Sequence, residues 1–169
     1  MNIKIKPKIR QAYSKDISKL SSIIRVSNLT VSEELNITPK NCPAHTSNCT
    51  SEWIKRDFNK GIIYYILEQE NILMGCVALE IVGSNRCYLE RLAVKPEYRH
   101  HGYGKLLVEN FILAAKKLNM KTIGIGTIGE HTVLTDWYKN LGFIYKRTKQ
   151  FPHLPFSVSF MVYKIKANE

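Results

Sequence analysis

The stretch Tyr88-Leu-Glu-Arg-Leu-Ala-Val-Lys-Pro-Glu-Tyr-Arg-His-His-Gly-Tyr-Gly-Lys105 decides how this chain folds. An extended segment ends at Val94, and Pro96 prevents its smooth continuation. Apolar residues then recur at helical spacing from Gly102 to about Leu118. The sequence therefore predicts a strand, a tight loop and the start of a helix.

The start of this helix is a candidate binding site for an anion. Gly102 and Gly104 carry no Cβ, so the backbone can turn sharply and approach a bound group closely. The first helical amides are unpaired and lie at the positive end of the helix dipole, an arrangement that attracts phosphate. Neighbouring side chains add positive charge suited to a pyrophosphate: Arg99, His100, His101 and Lys105.

Two familiar nucleotide-binding loops are disfavoured by the residues present. A dinucleotide fingerprint needs a third glycine where the chain has Leu107, and a Walker loop needs Ser or Thr where it has Leu106. The remaining pattern, Arg99-x-x-Gly102-x-Gly104 directly after Leu92-Ala93-Val94, resembles the acetyl-CoA signature of the GNAT superfamily of N-acetyltransferases.

Length and composition predict one globular domain over residues 1–169. The chain is 44% apolar and 23% charged, as in ordinary globular proteins. No apolar run approaches the roughly 20 residues of a membrane span, and the N-terminus lacks the apolar core of a signal peptide. We therefore expect a cytoplasmic protein without membrane contact, whose cysteines are reduced. These are Cys42, Cys49, Cys76 and Cys87.

The net charge of +11 leaves nucleic acid, acidic lipid surfaces and anionic ligands open as partners. Basic residues cluster near the N-terminus, around Arg99, and at Lys146, Arg147 and Lys149. A phosphate-rich cofactor would account only for the cluster around Arg99.

Periodicity predicts a strand at 8–13, helices at 14–28 and 52–59, strands at 62–68, 72–81 and 87–94, a helix at 102–118, a strand at 122–127, a helix at 130–140, and strands at 143–147 and 157–165. Residues 29–50 lack such a pattern and read as a long connection that carries function. The element order is similar to that of the GNAT superfamily. The expected fold class is α+β, a three-layer GNAT-like acyl-CoA N-acyltransferase fold with a mixed central sheet flanked by helices.

Within the long connection, Cys42, His45 and Cys49 have C-x2-H-x3-C spacing. Zinc normally requires a fourth ligand or three ligands around an open position, and no neighbouring fourth Cys or His appears. We expect no metal here and interpret these residues as part of a loop or substrate pocket.

A second motif, Trp137-Tyr138-Lys139-Asn140-Leu141-Gly142-Phe143, is similar to the GNAT Tyr-x-x-x-Gly-Phe ending of the penultimate helix. The resemblance implies acetyl-CoA as cosubstrate. His131 replaces an Asn common among relatives, and Leu134 replaces a small residue. The implied cofactor contacts are Leu92, Ala93, Val94, Arg99, His100, His101, Gly102, Tyr103, Gly104, Lys105, His131 and Tyr138.

The same resemblance implies catalytic roles. Glu90 matches the base of polyamine acetyltransferases, whose strand also reads Tyr-Leu-Glu, and would take the amine proton directly or through water. The alternative is a strand carboxylate paired with Arg86 or Arg91. Tyr138 matches the general acid for the CoA sulfur, with a core aromatic as the alternative. Glu90 would share a strand face with Leu92, whose amide points at the acetyl carbonyl, unless a bulge shifts the alternation.

The leading function is acetyl transfer from acetyl-CoA to a small-molecule primary amine. The alternatives are a protein N-acetyltransferase and a non-catalytic nucleic-acid or ribosome-associated module, although no nucleic-acid-binding signature is visible. The basic charge argues against polyamine acceptors. The acceptor pocket is expected to be lined by residues 29–50, 127–131 and 151–156. Glycines 124 and 126 indicate a close approach by a ligand or by a packed helix. The protein is expected to be a monomer or homodimer.

Overall fold

Helices cover both faces of a central sheet in the computed structural model, which describes residues 6–166. The remaining ends of the predicted domain, 1–5 and 167–169, lie outside the described residues. The elements are β1 Lys8–Gln11, α1 Ile17–Glu34, α2 Ser51–Asn59, β2 Ile63–Gln69, β3 Ile72–Ile81, β4 Arg86–Val94, α3 Tyr103–Lys117, β5 Thr122–Ile128, α4 Thr132–Asn140, β6 Ile144–Gln150 and β7 Ser157–Lys164.

The strands form one mixed sheet in the order β1-β2-β3-β4-β5-β7-β6. The β4–β5 pair is parallel and connected through α3, whereas the other neighbours are antiparallel. One face packs against α3 and α4 through residues such as Phe111, Ile123 and Tyr138. The other packs against α1 and α2 through residues such as Leu20 and Ile54. The predicted three-layer fold with a mixed central sheet is confirmed.

The parallel strands β4 and β5 pair over only a short distance. Arg86–Tyr88 of β4 pair with Thr122–Gly124 of β5, and the two strands are not paired beyond Tyr88 and Gly124. Within β4, Arg91 and Leu92 together oppose Val77 of β3, which makes a β-bulge. The sheet is therefore intact at one end of the β4–β5 pair and open at the other.

The bulge also changes which way the side chains of β4 point. Arg91 has a φ of +53°, a conformation that is uncommon for a residue with a Cβ. Leu89 and Leu92 both contact the core beneath α3, although regular alternation would place them on opposite faces. Glu90 and Leu92 therefore do not share a face, because the bulge shifts the alternation.

Helix α1 extends to Glu34, so the predicted end at residue 28 was wrong. Polar residues obscured the helical pattern, but their side chains bond within the helix. The Asn28 amide donates to the Ile24 carbonyl at 2.7 Å, and the Ser32 hydroxyl donates to the Leu29 carbonyl at 2.7 Å. The connection to α2 is correspondingly shorter than expected.

Ile123 and Ile125 of β5 belong to the core beneath α3. Since successive residues of a strand point to opposite faces, Gly124 and Gly126 face away from α3 and α4. A Cβ on Gly124 would lie 2.5 Å from the Tyr88 ring, and one on Gly126 would lie 3.3 Å from Val158. The contacts that require these glycines come from strands. The helix-packing alternative was therefore wrong.

No helix within residues 6–166 is both long and apolar enough to cross a bilayer.

The core beneath α3 gives a direct test of the fold. Phe111 is fully buried and Leu113, on the same helix, is 60% exposed. Phe111→Ala should lower the free energy of unfolding by about 3–5 kcal/mol, because it leaves a cavity that the surroundings fill only partly. Urea denaturation followed by circular dichroism measures this loss. Leu113→Ala is the matched control, and an equal loss in both variants would contradict the packing.

Candidate active site

A cavity of about 410 Å³ occupies the gap between β4 and β5. Glu90 and Leu92 line it from β4, Tyr138 lines it from α4, and His131 lines it from the loop before α4. The three segments predicted for the acceptor pocket also contribute to its wall. These contributions are Val31, Cys42, Ala44, His45 and Thr46; Thr127, Ile128 and His131; and Leu154 and Phe156.

Glu90 is a desolvated carboxylate without a direct partner. Within residues 6–166 it makes no hydrogen bond and no salt bridge. Burial raises the pKa of Glu90 above its ordinary value; the charge of Arg91 opposes this shift, and Glu80 and Asp57 add to it. From the sequence, an ion pair of Glu90 with Arg86 or Arg91 was the alternative to a catalytic role. The structure contains neither ion pair.

Arg91, the residue at the bulge, is instead anchored on the α2 side of the sheet. Its Nε lies 3.5 Å from Asp57 Oδ2, and its guanidinium lies 5.6 Å from the centroid of the Trp53 ring. The Tyr64 hydroxyl donates to the same Asp57 carboxylate at 2.5 Å. Local sequence patterns did not reveal this cluster, because Arg91 is far in the chain from Trp53, Asp57 and Tyr64.

Tyr138 is both a core residue and part of the cavity wall. Its ring packs edge-on against Trp137 and Phe143, with centroid separations of 4.9 Å and 5.3 Å. Its hydroxyl makes no hydrogen bond to any residue between 6 and 166, and the residue lines the cavity. Burial, with a smaller contribution from the charge of Glu90, raises the pKa of Tyr138. The phenol therefore keeps its proton at neutral pH.

The loop before α3 presents a run of unpaired backbone amides. His100 and Gly102 have φ values of +63° and +80°, and the Leu106 amide makes the first helical bond, to the Gly102 carbonyl at 3.0 Å. Within the described chain, the amides at positions 100–105 donate to no protein acceptor. Gly104 packs against Trp137, where a Cβ would come within 3.3 Å of the indole. This row of donors fits a diphosphate group.

Three side chains of this loop have partners within the protein. The Arg99 guanidinium donates to the Ser27 carbonyl at 2.6 Å and to Thr30 Oγ1 at 3.2 Å, so it holds α1 against the loop. Lys105 Nζ lies 3.8 Å from Glu109. The His101 ring bonds the Arg99 carbonyl through Nδ1 at 2.6 Å.

Other predicted cofactor contacts are placed as follows. Leu92 lines the cavity, whereas Ala93 is buried toward α1. The Val94 carbonyl accepts a hydrogen bond from Arg99 Nε at 3.2 Å. Tyr103 stacks on the His101 ring. His131 caps α4, with Nδ1 accepting from the Leu134 amide at 3.2 Å.

All four cysteines are buried and unbridged. Cys42 and His45 line the cavity, and His45 Nδ1 bonds the hydroxyl and the amide of Ser47. Burial lowers the pKa of His45, so its ring is neutral at physiological pH. Among residues 6–166 there is no group of His, Cys, Asp and Glu side chains arranged to hold a metal ion.

A second cavity, of about 580 Å³, lies on the other side of Glu90. Tyr88, Gly124 and Gly126 place it on the sheet face opposite α3 and α4. Glu90 thus lies between the two cavities, a position that strand periodicity did not reveal.

Comparison with known proteins confirms the resemblance found in the two motifs. The chain matches the model of the Acetyltransferase (GNAT) family over residues 29–143. It is 31% identical over 142 residues to an amino-acid acetyltransferase of Buchnera aphidicola subsp. Schizaphis graminum, covering 81% of this chain and 27% of that protein. The chain thus spans little more than a quarter of this curated relative.

Solved structures confirm the predicted GNAT-like fold. The PaiA N-acetyltransferase of Thermoplasma acidophilum, in complex with coenzyme A, has a TM-score of 0.81 at 20% identity and covers 95% of this chain and 99% of its own. YncA from Salmonella typhimurium, with its cofactor acetyl-CoA, has a TM-score of 0.71 at 16% identity, with coverage of 97% and 96%. These ligands agree with acetyl-CoA as the predicted cosubstrate.

Gly102 tests the candidate phosphate site, with Gly61 as a matched control. Both have φ near +80° and open space where a Cβ would lie. Alanine at either position should cost about 1–2 kcal/mol of stability, because a left-handed backbone is strained in residues with a Cβ. Only Gly102→Ala should also weaken coenzyme A binding, by roughly tenfold, since it displaces the free amides. Isothermal titration calorimetry and urea denaturation measure the two effects; equal affinity in both variants would argue against the site.

Proposed function

Because the chain belongs to the GNAT family of acetyltransferases, we propose that it transfers an acetyl group directly from acetyl-CoA to the primary amine of a small molecule. The observation that carries this proposal is a cavity between β4 and β5 that is lined by both Glu90 and Tyr138. A base and an acid on one cavity match the two proton transfers that amide formation from a thioester requires.

Acetyl-CoA supplies the activated thioester, and the described loop supplies a fitting site for its diphosphate. The amides of residues 100–105 would donate to the phosphate oxygens, assisted by the dipole of α3. The adjoining gap in the sheet would admit the thioester. At the bulge, the Leu92 amide is the candidate donor to the acetyl carbonyl oxygen, where charge develops during attack.

Glu90 is the proposed base. A primary amine is mostly protonated at neutral pH, and it must lose a proton before it can attack a carbonyl carbon. Burial raises the pKa of Glu90 toward neutrality, which makes its carboxylate a stronger base than an exposed glutamate. Its contact with both cavities allows it to receive the proton directly or through water.

Tyr138 is the proposed acid. The departing CoA thiolate must be protonated, and the buried phenol holds a proton with no competing hydrogen bond within residues 6–166. Packing against Trp137 and Phe143 fixes the ring, so the hydroxyl is presented to the cavity in one orientation.

The shape of the cavity favours a small acceptor over a protein. Its volume of about 410 Å³ lies within the range typical of small-molecule pockets. His45 and Phe156 pack edge to face, with ring centroids 6.4 Å apart, and bring together the two loops of the acceptor side. The amino-acid acetyltransferase relative is consistent with a small amine.

Replacing the proposed base should change both rate and pH dependence. Since Glu90 acts deprotonated, activity should rise with pH through its pKa, which lies above the ordinary 4.5. Glu90→Gln should lower kcat by about a hundredfold and abolish this rise. The measurement is kcat as a function of pH, with acetyl-CoA and a panel of amines as substrates. It follows the release of CoA thiol, corrected for the protein's cysteines.

Glu80→Gln is the matched control for charge. Glu80 lines neither cavity, but its charge contributes to raising the pKa of Glu90. This variant should stay active, and the rise of its activity with pH should occur at lower pH, because the pKa of Glu90 falls when the Glu80 charge is removed. An unchanged pH profile and turnover in Glu90→Gln would remove Glu90 as the base.

Removing the Tyr138 hydroxyl should affect chemistry and not cofactor binding. Tyr138→Phe keeps the buried ring, so coenzyme A affinity should remain near that of the wild type while kcat falls by about a hundredfold. Tyr163→Phe is the control, because Tyr163 also packs against Phe143 but lines neither cavity. Equal turnover of Tyr138→Phe and wild type in steady-state kinetics would exclude the acid role.

A further inference from the structure

The second cavity, called the basic cleft below, has a wall of cations next to the proposed base. Its lining includes Arg86, Lys146 and Arg147 together with Glu90. Within the described part of the chain, Glu90 is the only acidic residue of this lining. The proposed acetyl transfer uses none of the three cations, and a cosubstrate diphosphate bound at residues 100–105 does not account for them.

Two of these cations are adjacent in sequence, and a β-bulge lets both line the cleft. Tyr145 of β6 pairs with Met161, and Arg147 pairs with Phe160, so Lys146 is an extra residue opposite β7. In a regular strand, neighbouring side chains point to opposite faces. The bulge breaks that alternation, and both Lys146 and Arg147 contact the same cavity.

The two arginines are held at the cleft by aromatic rings. The Arg147 guanidinium lies 5.3 Å from the centroid of Phe160, and that of Arg86 lies 5.7 Å from the centroid of Tyr88. Among residues 6–166, none of the three cations forms a salt bridge with a carboxylate. The cleft therefore presents three exposed cations, two of them packed on aromatic rings, and no carboxylate within residues 6–166 pairs with them.

The floor of the cleft is free of side chains where it meets Glu90. Gly124 is covered by the Tyr88 ring, whereas Gly126 is exposed and lines both cavities. A ligand lying on Gly126 would extend from the cations to the carboxylate of Glu90. An amine held there by an anionic group at its other end would be placed next to the proposed base.

We propose that the basic cleft binds a carboxylate of the acceptor, so that the acceptor is an amino acid or a similar small amine with at least one carboxylate. This inference rests on the proposed acetyl transfer and names its substrate class. A diamine would place a second cation beside Arg86, Lys146 and Arg147, which Coulomb repulsion disfavours. The competing explanation is that the lysine and arginine of β6 only protect an edge strand from pairing with other chains.

The test compares acceptors that differ only in charge. The panel contains alanine with alaninamide, and γ-aminobutyrate with γ-aminobutyramide and putrescine. Wild-type protein should show a kcat/KM for each carboxylate that is roughly tenfold above that for its amide. The amide cannot make the charge-assisted hydrogen bond that the carboxylate makes with the cations of the cleft. The double variant Lys146→Gln/Arg147→Gln should lose this preference and retain activity toward the amides.

Lys149→Gln is the matched control, since Lys149 lies on the same edge strand but does not line the cleft. It should keep the wild-type preference. Transfer to amides and carboxylates with equal kcat/KM, or an undiminished preference in the double variant, would overturn the inference while leaving acetyl transfer intact. Absence of transfer to every amine would instead count against the proposed function.

A binding measurement tests the cleft independently of turnover. Glutarate, which has carboxylates but no amine, should bind the CoA-loaded wild type roughly tenfold more tightly than the CoA-loaded double variant in calorimetry. Equal affinity for the two proteins would also overturn the inference.

Discussion

The separation of β4 from β5 is the constraint on which the rest of the site depends. The two strands pair only at Arg86–Tyr88 and Thr122–Gly124, and the bulge at Arg91 follows. A continuous sheet would have closed the space that the first cavity occupies. The cost of the left-handed backbone at Arg91 is offset by contacts with Asp57 and Trp53 on the other side of the sheet.

The same gap creates the electrostatics of the site. The side chains of Glu90 and Tyr138 line the gap and make no hydrogen bond within residues 6–166, and burial is the largest cause of both raised pKa values. A carboxylate with a raised pKa is a better base, and a phenol with a raised pKa is fully protonated at neutral pH, so it carries the proton that the CoA sulfur must gain as its bond to the acetyl carbon breaks. One structural feature thus brings the proposed base and the proposed acid to the same cavity.

Local patterns were sufficient to predict the fold and the two motifs that border the candidate site. The glycine loop, the helix after it and the Tyr138 motif are each specified by residues close together in the chain, so their spacing was readable. Interactions between distant residues were not readable. The contacts of Arg99 with Ser27 and Thr30, about 70 positions earlier in the chain, could not be predicted from the loop sequence. The bulge at Lys146 depends on how β6 pairs with β7, which no local pattern specifies.

A crystal structure of the protein with coenzyme A tests the central claim most directly. The account predicts the diphosphate within hydrogen-bond distance of the amides of residues 100–105, and the sulfur in the gap between β4 and β5 within reach of the Tyr138 hydroxyl. An ordered coenzyme A bound elsewhere, or bound at the loop with its sulfur directed away from the gap, would contradict it.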